Sequence, residues 1–283
     1  LMLKQRVITA VVLLAILLPA LFFPSYVPFC AITLVLISAG GWEWGRLNGC
    51  SQPQSVMLGL ACLLACLLSW YAGLLTQSLP WLWSVVGAAW VLAGGWLLRS
   101  GVSGWPQIPK SLRLVLGALA IWLAWLALAQ ARVIGVNFLL SVMVLVWTAD
   151  IGAYFAGKAF GTKFTKSKLA ASISPGKSWE GVWGGMVCVL VLALGWILLD
   201  RSGATQTSSL YSSLLSRHGW VVMLIAVVFL SAMSVVGDLV ESLVKRSAGA
   251  KDSSGLLPGH GGVLDRVDAL LPTLPLAMML ASL

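Results

Sequence analysis

The sequence predicts an all-α fold, a polytopic membrane helix bundle, and three observations support this fold class. Hydrophobic residues make up 59% of the 283 residues and charged residues only 10%, whereas about a quarter of a soluble domain is charged. The mean hydropathy is +0.96. The apolar residues form runs close to the roughly 20 residues that a helix needs to cross a bilayer. This composition excludes a soluble core and a disordered chain, and five cysteines are too sparse for a secreted disulfide scaffold.

The positions of the apolar runs predict about nine transmembrane helices. The first is interpreted as a retained helix rather than a signal peptide, because the segment 24–26 (Pro-Ser-Tyr) is a poor cleavage site. The second is short, and the last carries Pro272 and Pro275, which transmembrane helices tolerate when neighbouring helices satisfy the freed carbonyls. In chain order, the predicted spans are 7–23, 27–42, 55–75, 80–98, 113–131, 133–149, 180–199, 220–240 and 268–283.

The distribution of basic residues predicts the orientation of these spans. If the N-terminus is cytoplasmic, 15 of the 18 Lys and Arg residues lie on the inner side, Lys4 among them, and 3 on the outer side, as the positive-inside rule requires. We therefore expect a multi-pass protein of a bacterial-type inner membrane. Its two long polar loops, 150–179 and 241–267, would face the cytoplasm. The formal charge of +9 then reflects orientation and an anionic ligand, and we expect no nucleic-acid partner.

Acidic residues divide the chain into two predicted regions. Glu43 is the single acid of the first five spans, and the other eight acids lie after residue 149. We expect 1–132 to be N-terminal scaffold helices and 133–283 to be the catalytic region with the two cytoplasmic loops.

One face of the eighth span carries a polar cluster. Asp238, Glu241, Ser242 and Lys245 stand at i, i+3, i+4 and i+7, so they share one side of a helix. An ionised carboxylate near the membrane boundary is costly unless it is paired or bound to a metal.

A glycine-rich segment with two more carboxylates follows. Asp265 and Asp268 are spaced i, i+3 and would line the first turn of the ninth span. Three aspartates without cysteine ligands favour a hard cation, Mg²⁺ or Mn²⁺. Basic residues beside such carboxylates are typical of phosphoryl or nucleotidyl transfer.

The segment 242–268 resembles the signature of phosphatidate cytidylyltransferases, also called CDP-diacylglycerol synthases. Two further stretches, 147–157 and 173–181, are also similar to this family, whereas the first 140 residues resemble it only in being hydrophobic helices. The signature reads Ser242-x-Val244-Lys245-Arg246-x4-Lys251-Asp252-x-Ser254-x2-Leu257-Pro258-x-His260-Gly261-Gly262-Val263-x-Asp265-Arg266-Val267-Asp268.

The resemblance implies that CTP and phosphatidic acid, in the presence of Mg²⁺, give CDP-diacylglycerol and pyrophosphate. The site must then supply cations to two repelling anions at the depth of the lipid headgroups. We expect one or two metal ions, with Mn²⁺ as a substitute for Mg²⁺, held by Asp238, Asp265 and Asp268. These three aspartates and Lys245 are the predicted catalytic residues. The predicted substrate-binding residues are Arg246, Lys251, His260, Arg266, Ser242, Lys177 and Asp150.

Three other functions stay open at this stage. Intramembrane acids and broken helices also suit an ion-coupled transporter, and basic loops would suffice for a non-catalytic lipid-binding protein. A cytidylyltransferase acting on a different lipid is the third alternative. The expected partners are CTP, phosphatidic acid and membrane lipids, and a homodimer is compatible with the sequence.

Overall fold

The computed structural model describes residues 2–283, with side chains from Gln5 onward, so the side chain of Lys4 lies outside the described residues. The chain forms a helix bundle with one small antiparallel β-hairpin between two of the long helices. The helices are α1 (Met2–Phe22), α2 (Val27–Leu47), α3 (Gln52–Tyr71), α4 (Pro80–Gly104), α5 (Lys110–Ile134), α6 (Val136–Phe160), α7 (Trp179–Arg201), α8 (Leu210–Ser247), α9 (Leu264–Val267) and α10 (Leu270–Ala281). The hairpin strands are β1 (Lys168–Ala170) and β2 (Ser174–Ser178).

Eight helices of the described chain, α1 to α8, are long and apolar enough to cross a membrane. They correspond to the first eight predicted spans, which confirms the all-α polytopic bundle. The ninth predicted span, 268–283, contains the 12-residue helix α10, and ten of its residues are buried. A helix of this length is about 18 Å long, too short to cross a bilayer alone. It packs against α8, α4 and α5 and so lies within the bundle.

Two helices extend into segments that the sequence predicts as loops. Helix α6 continues to Phe160, so Asp150 lies within the helix and the first loop begins at Gly161. Helix α8 continues to Ser247, which keeps the whole polar face of the eighth span helical. Hydropathy locates the apolar part of a helix, whereas the backbone hydrogen bonds continue through polar residues beyond it. The non-helical segments at this end of the bundle are therefore shorter than the predicted cytoplasmic loops.

The predicted cytoplasmic loops lie at one end of the bundle, which we call the site end. Helices α2, α4, α6 and α8 end here and α3, α5 and α7 begin here. The Lys110 ammonium donates to the Gly49 carbonyl at 2.6 Å, and the Ser247 hydroxyl donates to the Val102 carbonyl at 3.0 Å. These bonds tie neighbouring loops of the site end together.

The opposite end of the bundle is fixed by one carboxylate, that of Asp200 at the end of α7. Its Oδ1 accepts hydrogen bonds from Asn137 and Thr205, and its Oδ2 accepts from Ser212 and from the Ser209 hydroxyl and backbone N–H, all at 2.6–3.0 Å. Ser209 is the N-cap of α8. Asp200 therefore fixes the α7–α8 turn and the start of α6.

We predict that Asp200→Asn lowers the free energy of unfolding by about 1–3 kcal/mol, because an amide keeps one acceptor oxygen and leaves donors unsatisfied. The measurement is thermal unfolding of the purified protein in detergent. An unchanged melting temperature would show that water replaces these contacts at no cost.

Candidate active site

The polar face of α8 is organised as the sequence spacing predicts. The Ser242 hydroxyl donates to Asp238 Oδ1 at 3.2 Å, and Lys245 forms an ion pair with Glu241 one turn earlier. The four side chains therefore lie along one side of the helix. Asp238 and Lys245 do not pair with each other, because each has a different partner.

Lys245 links α8 to the glycine-rich loop, which comprises residues 251–268 and includes the short helix α9. Its ammonium contacts Glu241 Oε2 and lies 2.6 Å from Asp265 Oδ1. The three side chains are only 13%, 3% and 6% exposed in the order Lys245, Glu241, Asp265. Among the described residues, Glu241 Oε1 has no hydrogen-bond donor. This cluster therefore holds two buried carboxyl groups around one ammonium.

Asp265 also fixes the shape of the loop that contains it. Its Oδ2 accepts hydrogen bonds from the Gly262 N–H at 2.7 Å and from the Ser253 N–H and hydroxyl at 2.9 Å. Burial raises the pKa of the Asp265 carboxyl, but the bonds from Lys245, Gly262 and Ser253 outweigh it and lower the pKa to about 2. Asp265 is therefore ionised throughout the neutral range.

Lys177 is the second ammonium of the site and comes from the β-hairpin. It forms an ion pair with Asp238 across 61 residues of sequence. The next residue, Ser178, is the N-cap of α7 and accepts the Gly181 N–H at 3.2 Å. The hairpin and the start of α7 thus carry Lys177 to the α8 face, where the sequence predicts a phosphate contact.

A cavity of about 400 Å³ opens beside this ion pair. It is lined by Asp150, Lys177 and Asp238 together with Tyr154 and Lys158. Asp150, on α6, therefore lies beside the other predicted site residues although 88 residues separate it from Asp238 in the sequence. The cavity joins carboxylate, ammonium and aromatic groups in a space of substrate size.

The break between α9 and α10 brings Asp268 against α8. A Cβ atom on Gly237 would lie 2.5 Å from the Asp268 carbonyl oxygen, so only glycine permits this approach. Asp268 Oδ1 accepts the Ala269 N–H at 2.7 Å. Gly237 and the break together place Asp268 next to Asp238.

The remaining predicted residues lie at the edge of the site or within its loop. Arg246 and Lys251 are exposed, and Arg246 Nε lies 3.5 Å from the Ile173 carbonyl. Arg266 donates twice to the His260 carbonyl, at 2.6 and 3.1 Å. Arg266 and His260 thus brace the loop, while Arg246 and Lys251 remain accessible from outside.

Within residues 2–283, no three His, Cys, Asp or Glu side chains are arranged as a ready metal cage. Instead, Asp238 contacts Lys177, and Asp265 contacts Lys245. The donor set still fits a hard divalent cation, because Mg²⁺ is usually bound through one or two carboxylates and completed by water and substrate phosphates.

Two acids near the site have contacts that the sequence does not predict. Glu241 shares the α8 face but is not a predicted site residue, although it pairs with Lys245. Glu43, on α2, is fully buried and contacts the glycine-rich loop. The signal for Glu43 is its position as the single acid in five apolar spans.

Comparison with known proteins decides the family of this chain. The profile of the cytidylyltransferase family matches residues 4–283. The chain belongs to the cytidylyltransferase family. It is 39% identical to phosphatidate cytidylyltransferase of Pseudomonas aeruginosa, over 97% of this chain and 95% of that protein. The corresponding enzyme of Haemophilus influenzae is 36% identical, over 97% and 96%, and that of Brucella suis is 35% identical, over 95% and 89%.

The chain is thus a nucleotidyltransferase of the cytidylyltransferase family. This confirms the family predicted from the segment 242–268. It also extends the likeness to the N-terminal helices, where the sequence offered only hydrophobicity.

We predict that Lys245→Met in this cytidylyltransferase lowers stability by about 3–5 kcal/mol, because two buried carboxylates lose their shared cation. Adding Glu241→Gln removes one of the uncompensated charges and should restore part of the stability. Thermal unfolding of both variants measures the difference. Equal melting temperatures for the single and double variants would contradict the proposed charge balance.

Proposed function

We propose that this chain transfers CMP from CTP to phosphatidic acid, giving CDP-diacylglycerol and pyrophosphate for phospholipid biosynthesis. Membership of the cytidylyltransferase family supports the nucleotide chemistry. The names of the relatives, each a phosphatidate cytidylyltransferase, support the lipid acceptor.

One observation carries the proposal at the level of the site. Lys177 and Lys245 are each paired with a carboxylate, at the end of a bundle whose helices can cross a membrane. Such a position lets the acyl chains of a lipid stay in hydrocarbon while its phosphate reaches a water-soluble nucleotide. The two ammonium groups would neutralise phosphates that otherwise repel each other.

The proposed reaction is a displacement at phosphorus. A phosphate oxygen of phosphatidic acid attacks the α-phosphorus of CTP and forms the new P–O bond. The bond from the α-phosphorus to the bridging oxygen breaks, and pyrophosphate leaves with the electron pair. The attacking phosphate is already ionised near neutral pH, so no general base is needed.

We assign the metal to the three predicted aspartates. Asp238, Asp265 and Asp268 would hold Mg²⁺, or Mn²⁺ in its place, and the number of ions is one or two. The ion, when bound, would neutralise charge on the CTP phosphates and on the leaving pyrophosphate. Asp265 Oδ1 is well suited to this role, since its other oxygen holds the loop and Oδ1 contacts only Lys245.

The remaining side chains have supporting roles in this proposal. Ser242 orients Asp238 by its hydrogen bond, and Asp150 lines the cavity beside Lys177. Arg246 and Lys251 would meet phosphates arriving from the exposed side. His260 and Arg266 would keep the loop in shape through the hydrogen bonds between them.

We predict that Asp238→Asn and Asp265→Asn each reduce the transfer of labelled CMP to phosphatidic acid by at least 100-fold, because a neutral amide binds a divalent cation poorly. Purified protein is assayed with CTP, Mg²⁺ and a panel of lipid acceptors, with Asp200→Asn as a control that loses a carboxylate at the opposite end. Near-normal transfer by either variant would remove that residue from the metal site. Transfer to another lipid but not to phosphatidic acid would reassign the acceptor.

The proposal places the site end at the cytoplasmic face of a bacterial-type inner membrane, with the N-terminus inside. Three basic residues are expected on the outer side, and they lie at the end of the bundle opposite to the site: Arg132, Arg201 and Arg217.

A homodimer belongs to the same proposal and is tested by light scattering of the purified protein.

The orientation predicts which introduced cysteines can be labelled. Cys50 and Cys188 are first replaced, because they are the two cysteines of the described chain that are not buried. An impermeant maleimide added to intact cells with a permeabilised outer membrane should then label Arg201→Cys and spare Lys251→Cys. The reverse pattern would invert the orientation.

A further inference from the structure

Glu43 is a fully buried carboxylate in the region that the sequence predicts to be scaffold. It lies on α2, four residues before the helix ends, and has no exposed surface. Its hydrogen-bond partners stand 210 to 221 residues later in the chain. All of them belong to the glycine-rich loop that leads to Asp265.

Four donors of this loop converge on the Glu43 carboxylate. Oε1 accepts the Val263 N–H at 2.9 Å and the Ser254 hydroxyl at 2.5 Å. Oε2 accepts the Leu264 N–H at 2.7 Å and lies 3.2 Å from the Ser253 hydroxyl. The two backbone N–H groups immediately precede Asp265, so Glu43 fixes the peptide planes that aim this aspartate.

The loop is moulded around the carboxylate. A Cβ atom on Gly262 would lie 2.3 Å from Glu43 Oε1 and 2.0 Å from Ser253 Oγ, so a larger residue would displace the contact. The Ser253 hydroxyl lies within hydrogen-bond distance of both Glu43 and Asp265. This serine therefore connects the buried carboxylate directly to the proposed metal ligand.

We propose that Glu43 is a positioning residue for cytidylyl transfer: it holds the segment 253–264 so that Asp265 Oδ1 points toward Lys245, where it would be available to the metal proposed above. The inference rests on the proposed role of Asp265. It assigns a part in the reaction to α2, although all the predicted catalytic and binding residues lie after residue 149.

Both oxygens of the Glu43 side chain are needed as acceptors in this role. Its two oxygens each accept two donors, and a glutamine amide keeps only one acceptor oxygen. In Glu43→Gln the amide nitrogen would face two donors, either Val263 and Ser254 or Leu264 and Ser253. The loop must then shift while the volume of the side chain is unchanged.

The test is Glu43→Gln in the full-length purified enzyme, with Asp200→Asn as the matched control. Each variant replaces a carboxylate that accepts several hydrogen bonds with the corresponding amide. Glu43 lies at the site end of the bundle and Asp200 at the opposite end. We expect Glu43→Gln to lower kcat at least 10-fold per folded molecule and to raise the Mg²⁺ concentration for half-maximal activity at least 5-fold. The control should change neither. Unchanged kcat in Glu43→Gln, or an equal loss per folded molecule in both variants, would overturn the proposal.

A readout without substrate or metal complements the kinetics. Hydrogen–deuterium exchange should accelerate at the amides of Val263 and Leu264 in Glu43→Gln and stay unchanged there in Asp200→Asn. Unchanged exchange of these two amides would contradict the positioning role.

A milder pair of variants covers the case in which Glu43→Gln does not fold. Ser253→Ala removes the hydroxyl that contacts both Glu43 and Asp265. Ser254→Ala removes a hydroxyl that contacts Glu43 but not Asp265. We expect each to lower kcat at least 3-fold, and normal kcat in both would overturn the proposal.

Comparison with Asp265→Asn separates this inference from the proposed function. If Asp265→Asn is inactive and Glu43→Gln is fully active, only the role of Glu43 fails. If Asp265→Asn is itself active, the proposed metal site fails and the positioning role fails with it.

Discussion

Lys245 lies between the carboxylates of Glu241 and Asp265, and the architecture of the site depends on this shared cation. Charges buried in a low-dielectric interior are costly unless they are paired and hydrogen-bonded. The pairing requires α8 to remain helical past the apolar part of the eighth span and the glycine-rich loop to return to it. The helical continuation of α8 to Ser247 and the return of the loop to α8 therefore both serve this one pairing.

The same requirement recurs at the second ammonium. Lys177 reaches Asp238 only because the hairpin ends directly at the N-cap of α7. A short β-structure in a helical protein therefore has a clear use: it stiffens the segment that presents a cation to the helix face. Substrate phosphates and a divalent ion would exchange with these lysine contacts, so the charge pattern is already suited to anions and cations arriving together.

Helical periodicity made the α8 face predictable, because residues three and four positions apart must be neighbours on any helix. The family signature likewise marked Asp265 and Asp268. The Lys177–Asp238 pair could be anticipated only as membership of one site, since 61 residues and a hairpin separate its partners. Glu43 could be singled out as an unusual acid, but two of its four hydrogen-bond donors are backbone N–H groups, which every sequence position supplies equally, and the two serine donors lie more than 200 residues away.

Hydropathy was a weaker guide to helix α10. Apolar residues are equally suited to lipid and to the interior of a protein, so composition cannot separate a spanning helix from one enclosed by its neighbours. The 12-residue length and the contacts with α8, α4 and α5 make that distinction. Because α10 begins only at Leu270, the helix is interrupted at Asp268, and this residue stays close to α8.

The hydrogen bonds between Glu43 on α2 and a loop more than 200 residues downstream have a consequence for biogenesis. Contacts between distant parts of a chain form late, after the intervening segments are in place. A nascent protein in which only α1 to α7 have entered the bilayer still lacks both α8 and the loop that Glu43 orders. Catalytic competence would then arise in one final step of membrane assembly, and partly inserted chains would remain inert toward nucleotides.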